Sequence, residues 1–276
     1  MKKFIVFVMA AVAVMNFSSC NNEMDMLDPI AQNKQSGYIN IDATTEDVVV
    51  VTRAEPTPVS DISTWYAKVY RTVDNNTVYG WSDNTNNNDY KQIGSKFSTT
   101  PFAAATWTVD VRNHKSLDDA LAANSGFGDA YYEGPTTSVS VTAGNTARPS
   151  IACGAPKNTK LTIDGTGFGG TALSVTTTSP RSLTFNGWKT TDKHFTTEDA
   201  YFTAQATVTY RINYTINGIT KETTAVSFDM GNAGTSKKLT ITSNTNGTIT
   251  LTLTTEGFSD PDNVPVTIDA ATGDIL

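Results

Sequence analysis

The sequence predicts an all-β protein built as two tandem antiparallel β-sandwiches, and three observations carry that prediction. Apolar and polar residues alternate through most of the chain, turn-forming dipeptides recur between the alternating runs, and a single short stretch has helical spacing. With 276 residues, 38% of them hydrophobic and 17% charged, the chain can build two cores and is too apolar to remain unfolded throughout.

Residues 1–19 read as a lipoprotein signal peptide: Lys2 and Lys3, the apolar run FIVFVMAAVAVM, then small residues before Cys20. The run is short for a bilayer span. Phe17 to Cys20, FSSC, resembles the lipobox of bacterial lipoproteins, which makes Cys20 the lipidated first residue of the mature chain and the membrane its first partner. Residues 20–36 are polar, acidic and without period, as a flexible tether is. Glu23 and Asp25 in that stretch resemble the acidic signal that sends some Bacteroidota lipoproteins to the outer face.

The first sandwich is placed at 37–153. In EDVVVVTRAE, Val48 and Val50 oppose Val49 and Val51, as in a strand covered on both faces, and Arg53 and Ala54 follow before the chain turns proline-rich. Trp107, Val109 and Val111 alternate with Thr108, Asp110 and Arg112, and Val139 and Val141 continue the pattern. VDNNTV and TAGNT read as hairpin turns, and the asparagine-rich SDNTNNNDY as a long hairpin loop. SLDDALAANSG, residues 116–126, reads as the helix, with Ser116 as N-cap and Gly126 closing it.

Glycine and proline in CGAPKN mark the boundary, and the second sandwich runs over 154–276. Val208, Tyr210, Ile212, Tyr214 and Ile216 oppose Thr207, Thr209, Arg211, Asn213 and Thr215, while Ile249, Leu251 and Leu253 oppose a file of threonines. Such alternation belongs to antiparallel strands with one wet face. Asn217-Gly218 and Asn246-Gly247 lie between alternating runs, where both residues tolerate the positive φ of a tight hairpin.

The formal charge is -7, and without Lys2 and Lys3 the mature chain carries 18 basic against 27 acidic groups, a net of -9. No basic stripe offsets that balance, which excludes nucleic acid as a partner. With Cys20 lipidated, Cys153 is a lone thiol at the end of an apolar strand, read as a small buried hydrophobe. Gly165, Gly167 and Gly170 have G-x-G-x-x-G spacing, but the strand-like TALSVTTTS follows where a dinucleotide site needs a helix. Asp260 and Asp262 have calcium-loop spacing, yet Pro265 and Ala271 stand where an EF-hand needs glycine and glutamate. His114 and His194 fall in different halves without metal-ligand spacing to a partner. No G-x-S-x-G elbow, H-E-x-x-H helix or distinguished carboxylate pair appears, so the reading is non-catalytic, with no cofactor and no metal. Tyr79, Trp81 and Trp188, in or near predicted loops, are candidates for stacking on sugars, against the plainer role of packing the core or rim.

DAYYEGPTTSVSVTAGNTARPSIAC, residues 129–153, resembles the Bacteroidota lipoproteins grouped as domain of unknown function 4493. GYINID, VVVVTRAE, WYAKVY and KNTKLTI are similar to other parts of the same family, and the resemblance covers most of residues 37–165. That family looks related to the fimbrillins, two-domain lipoproteins of Greek-key, transthyretin-like sandwich fold that build pili. The resemblance implies cleavage after Arg53 by an arginine-specific protease and replacement of the freed strand by one from a second pilin-like subunit. It also implies a fimbrillin-like adhesion or pilus-associated component at the outer membrane or cell surface. The competing expectation is a glycan-binding accessory lipoprotein presenting polysaccharide to an uptake system. A hydrolase would instead show a concave pocket with convergent carboxylates.

Overall fold

The computed structural model describes residues 35–46, 57–80, 90–94, 97–244, 247–256 and 264–268. Cys20, the valine run 48–51, Arg53, Trp81 and the aspartates at 260 and 262 lie outside them. The described chain is all-β. Its first half contains β1 (Ser36–Ile39), β2 (Asp42–Thr45), β3 (Thr57–Pro58), β4 (Tyr66–Val73), β5 (Asn76–Tyr79), β6 (Lys91–Gln92), β7 (Phe102–Ala103) and β8 (Ala105–Arg112), then the helix α1 (Leu117–Ala122), then β9 (Thr137–Val141), β10 (Thr146–Ala147) and β11 (Ser150–Ala152). The second half contains β12 (Asn158–Asp164), β13 (Ala172–Ser179), β14 (Leu183–Phe185), β15 (Asp199–Thr203), β16 (Thr207–Ile216), β17 (Ile219–Glu222), β18 (Val226–Asp229), β19 (Ser236–Ser243), β20 (Ile249–Glu256) and β21 (Val264–Ile268).

Buried apolar side chains gather in two clusters, one drawn from residues 39–153 and the other from 161–251. In the second, the sheet β15-β12-β19-β20-β21 packs on the sheet β14-β13-β16-β17. Leu161, Ile163, Leu239, Ile241 and Leu251 meet Val175, Phe185, Tyr210, Ile212 and Tyr214, the inward members of each alternating run. In the first, β5-β4-β8-β9 supplies Val69, Trp107, Val109, Val111 and Val139 against Ile39, Ile41, Phe102 and Ile151 from two short three-stranded sheets, β10-β1-β7 and β11-β2-β3. Burying these side chains is the dominant stabilising term, about 1.5–3 kcal/mol for each large one.

Most ladders are antiparallel, but β1 runs parallel to β10, β2 to β11 and β12 to β19. Parallel neighbours cannot be joined by a hairpin, so these pairings leave no local turn in the sequence. TAGNT illustrates the point. It reads as a hairpin, yet β9 and β10 belong to different sheets, because β1 takes the pairing: Tyr38 N–H donates to Asn145 O at 2.8 Å and Gly144 N–H to Ser36 O at 2.7 Å. Asn246 and residues 82–89 of the SDNTNNNDY loop lie outside the described residues, and two further turns behave locally. Asp74 and Asn75 have φ of 48° and 64° and join β4 to β5, while Asn217 and Gly218, at 52° and 77°, join β16 to β17. α1 is shorter than 116–126. Ser116 Oγ caps it by accepting Asp119 N–H at 3.1 Å, but Ala123 is extended and the last residues form a separate 3-10 turn, Asn124–Gly126.

The two halves meet along a hydrogen-bonded seam. Arg181 donates to Leu121 O at 2.5 Å, to Gly126 O at 2.7 Å and to Tyr201 O, so one guanidinium ties the end of α1 to β15. Asn158, fully buried, accepts from Tyr131 N–H at 3.0 Å and donates to Asp129 O at 2.7 Å. Tyr201 N–H donates to Phe127 O at 2.7 Å, and the Phe127 ring stands edge-on to Phe185, 5.2 Å between centroids.

Candidate functional site

Two surfaces have the composition of a binding site. The first is the outer face of the sheet formed by β5, β4, β8 and β9. In β4, Ala67 and Val69 point inward, so Tyr66, Lys68 and Tyr70 occupy the outer face with half-buried side chains. The register sets Tyr66 opposite Arg112, Lys68 opposite Asp110 and Tyr70 opposite Tyr79. Tyr90 joins them from just before β6, whose Gln92 pairs with Tyr66. The Arg112 guanidinium lies 3.4 Å from the Tyr90 ring centroid and Lys68 Nζ 5.1 Å from that of Tyr70, both cation–π contacts. Arg112 also pairs with Glu133 at 2.9 Å. Burial and the nearby Asp110 carboxylate push the Tyr70 hydroxyl above its usual pKa. Asp110 is half-buried among these groups, within reach of the Tyr70 hydroxyl.

The second is a cleft of about 720 Å³ at the seam, where Phe127 and Asp129 face His194, Glu198, Asp199 and Tyr201. Asn124 and Gly128 on its near wall have positive φ, as do Ser125 and Gly126 between them, and the seam bonds hold this segment in place. Its carboxylates are already engaged. Asp129 bonds His114 at 3.2 Å and Ala130 N–H at 2.8 Å, Glu198 bonds His194 at 2.5 Å, and Asp199 accepts from Thr162 at 2.6 Å. A carboxylic acid that protonates a leaving group needs a raised pKa, whereas the His114 hydrogen bond holds Asp129 below the usual carboxylate range. Among the described residues no group of three or more His, Cys, Asp or Glu is arranged to hold a metal, and no helix is long and apolar enough to cross a membrane.

The residues singled out from sequence are scattered. Tyr79 belongs to the tyrosine face, its ring 6.3 Å from that of Tyr70. Trp188 is instead a core position, 9% exposed and edge-on to Phe168 at 5.2 Å, so it offers no flat platform to a sugar. Cys153 is buried, and burial pushes its thiol up to about 11. The glycine-rich turn 165–170 crosses between the two second-half sheets, with Thr166 N–H on Asp164 Oδ1 at 2.9 Å, and β13 follows it. The histidines lie in different halves, yet the seam brings His194 and Asp129, the partner of His114, to the same cleft. Tyr66, Tyr70 and Tyr90 escape a search for loop aromatics. For Tyr66 and Tyr70 the signal is the alternation in WYAKVY, which sends both to one face.

The fold and these surfaces define an all-β protein with two packed cores and two polar, aromatic-lined surfaces. No family model and no curated protein matches the chain. Among solved structures, it is similar to a fimbrial protein from Bacteroides ovatus ATCC 8483 at 7% identity and a TM-score of 0.41, over 75% of this chain and 48% of that one, about half its length. A DUF1812 protein of Bacteroides thetaiotaomicron VPI-5482, to which polysaccharide binding has been ascribed, matches at 9% identity and a TM-score of 0.34, over 76% and 95% of the two chains. The shaft pilin SpaA of Lactobacillus rhamnosus GG matches at 9% identity and 0.31, over 72% and 96%. Similarity at this level carries no argument about function, which rests on the residues.

Proposed function

We propose that the chain is a lipid-anchored, non-catalytic protein of the outer membrane and cell surface, a fimbrillin-like adhesion or pilus-associated component. One observation carries the reading: the placement of residues 36–45. They form β1 and β2, threaded beside residues 146–152 on one flank and β7 and β3 on the other. Ile39, Ile41 and Ala43 fill the first core from this strand. Removing it would open a groove lined with unpaired backbone and apolar pockets, the features that a strand from another subunit fills. Arg53 follows the strand in sequence, so cleavage there separates residues 36–45 from the rest of the body.

Treating the purified mature protein with an arginine-specific protease tests this. Cleavage at Arg53 followed by laddered oligomers on an unheated denaturing gel is the expected result. A resistant monomer refutes strand exchange. The second reading, a glycan-binding accessory lipoprotein, is favoured by the half-buried tyrosines of the β4–β8 face.

A further inference from the structure

We propose that the outer face of β4 and β8 is a binding site for an uncharged polysaccharide, with the rings of Tyr66 and Tyr70 packing on the sugars and Asp110 accepting a sugar hydroxyl. The inference rests on the glycan reading and narrows it to one surface and one ligand class. Strand exchange can succeed or fail without it.

The protein supplies its own contrast. The outer face of the β13–β16 sheet carries Ser174, Thr176, Thr209, Arg211, Asn213 and Thr215; Thr176, Thr209 and Thr215 pair hydroxyl to hydroxyl across strands, Thr209 with Ser227 at 2.8 Å, and Arg211 pairs with Glu222 at 3.0 Å. Outward positions of β13 and β16 are therefore filled by polar residues with no ring among them, and stability alone does not require rings. On β4 the outward positions carry Tyr66 and Tyr70. Tyr66 and Tyr70 lie four residues apart on one strand, about 13 Å, a row that suits several consecutive sugar rings better than one. Tyr70 and Tyr79 form the next rank across the sheet. Tyr66 and Tyr70 sit on β4, which is paired on both sides, so this part of the surface is formed before a ligand arrives.

Charge selects the ligand. Lys68, Arg112 and Lys115 are interleaved with Asp110 and Glu133, and Arg112 is committed to Glu133. A polyanion would meet Asp110 and Glu133 at close range and the -7 charge of the whole chain at long range. A polycation would meet three basic side chains. The half-buried Asp110 carboxylate is a charged acceptor beside the rings, and a hydrogen bond to a charged group is stronger than one between neutral groups. A neutral sugar chain brings both C–H faces for the rings and O–H donors for the carboxylate.

The test is affinity gel electrophoresis of the mature protein in gels containing soluble starch, laminarin or yeast mannan, with polygalacturonate as the acidic comparison. At least one neutral polymer is expected to retard the protein. Tyr66→Thr and Tyr70→Thr place on this face the residue type that the other sheet carries, and each should weaken retardation about tenfold. Thr209→Ala, on the other sheet, should be unchanged. If a threonine variant fails to fold, Asp110→Asn, of equal size, should still cost about tenfold by exchanging a charged acceptor for a neutral one. No retardation by any of the three neutral polymers, retardation by polygalacturonate alone, or retardation indifferent to Tyr70→Thr and Asp110→Asn overturns the proposal. If the neutral polymers fail and Arg53 cleavage still yields oligomers, the glycan reading falls and the assembly reading stands.

Discussion

Replacing Asn158 by alanine should destabilise the protein by about 2–4 kcal/mol, although the residue lies outside both apolar clusters. Its side chain is fully buried at the start of β12, where it bonds Tyr131 N–H at 3.0 Å and Asp129 O at 2.7 Å. Tyr131 is 5% exposed, so water does not readily replace the lost acceptor, and an unsatisfied amide there costs about 1–3 kcal/mol. Asp129 is only half-buried, and its carbonyl can recover part of its bonding from solvent, leaving a loss of about 1 kcal/mol. Asn158→Asp should not rescue the loss, because it keeps an acceptor for Tyr131 but sets a carboxylate against the Asp129 carbonyl. Urea unfolding followed by tryptophan fluorescence reports both cores, since Trp65 and Trp107 belong to one and Trp188 to the other. A change below about 0.5 kcal/mol with an unchanged m value would refute the view that the seam is held by buried polar bonds.

Arg181→Met keeps the length of the side chain but leaves Leu121 O, Gly126 O and Tyr201 O without their donor; it should cost about 2–4 kcal/mol and raise amide exchange at Tyr201, measured by hydrogen exchange. Cys153 should resist alkylation at pH 8 in the folded protein and react once urea unfolds it, because burial raises its thiol to about 11. The raised value also sets a sign. The native state keeps the Cys153 proton where the unfolded chain releases it, so stability falls between an ordinary thiol value near 9.0 and about 11. Comparing the parent with Cys153→Ala by urea titration across that range isolates the effect from every other group that titrates there, and parallel curves would refute it.

Where the physics is local, the sequence is readable. The alternation in ATVTYRINYTI gives β16 and its inward residues, Asn217-Gly218 gives its turn, and Ser116 gives the start of α1. Where a pairing is distant, nothing local announces it. TAGNT has turn chemistry and turns, but β1, a hundred residues earlier, decides what it joins. The tyrosine face divides the same way. That Tyr66 and Tyr70 share a face follows from period two, but the Arg112 guanidinium over Tyr90 needs the β4–β8 and β4–β6 registers. Trp188 sits near a predicted loop and is nevertheless buried, since a ring so large reaches the core from the end of a strand. The cleft at the seam was not legible, because Asp129 and His194 are distant in sequence and neither has a distinctive neighbour.

The route by which the chain enters its first core gives the fold a mechanical character. Tension on the chain before Ser36 is delivered to β1 and β2 before any other strand. Tyr38, Asn40 and Asp42 donate at 2.8, 2.8 and 3.0 Å to Asn145, Ala147 and Pro149, a file of bonds running beside the strand. Drawn along its own axis, the strand loads that file in shear, all bonds together, and Ile39 and Ile41 must leave the core in the same movement. Peeled sideways from one end, it yields one bond at a time. The same ten residues would then resist steady drag at a cell surface and still give way to an incoming strand that displaces them stepwise.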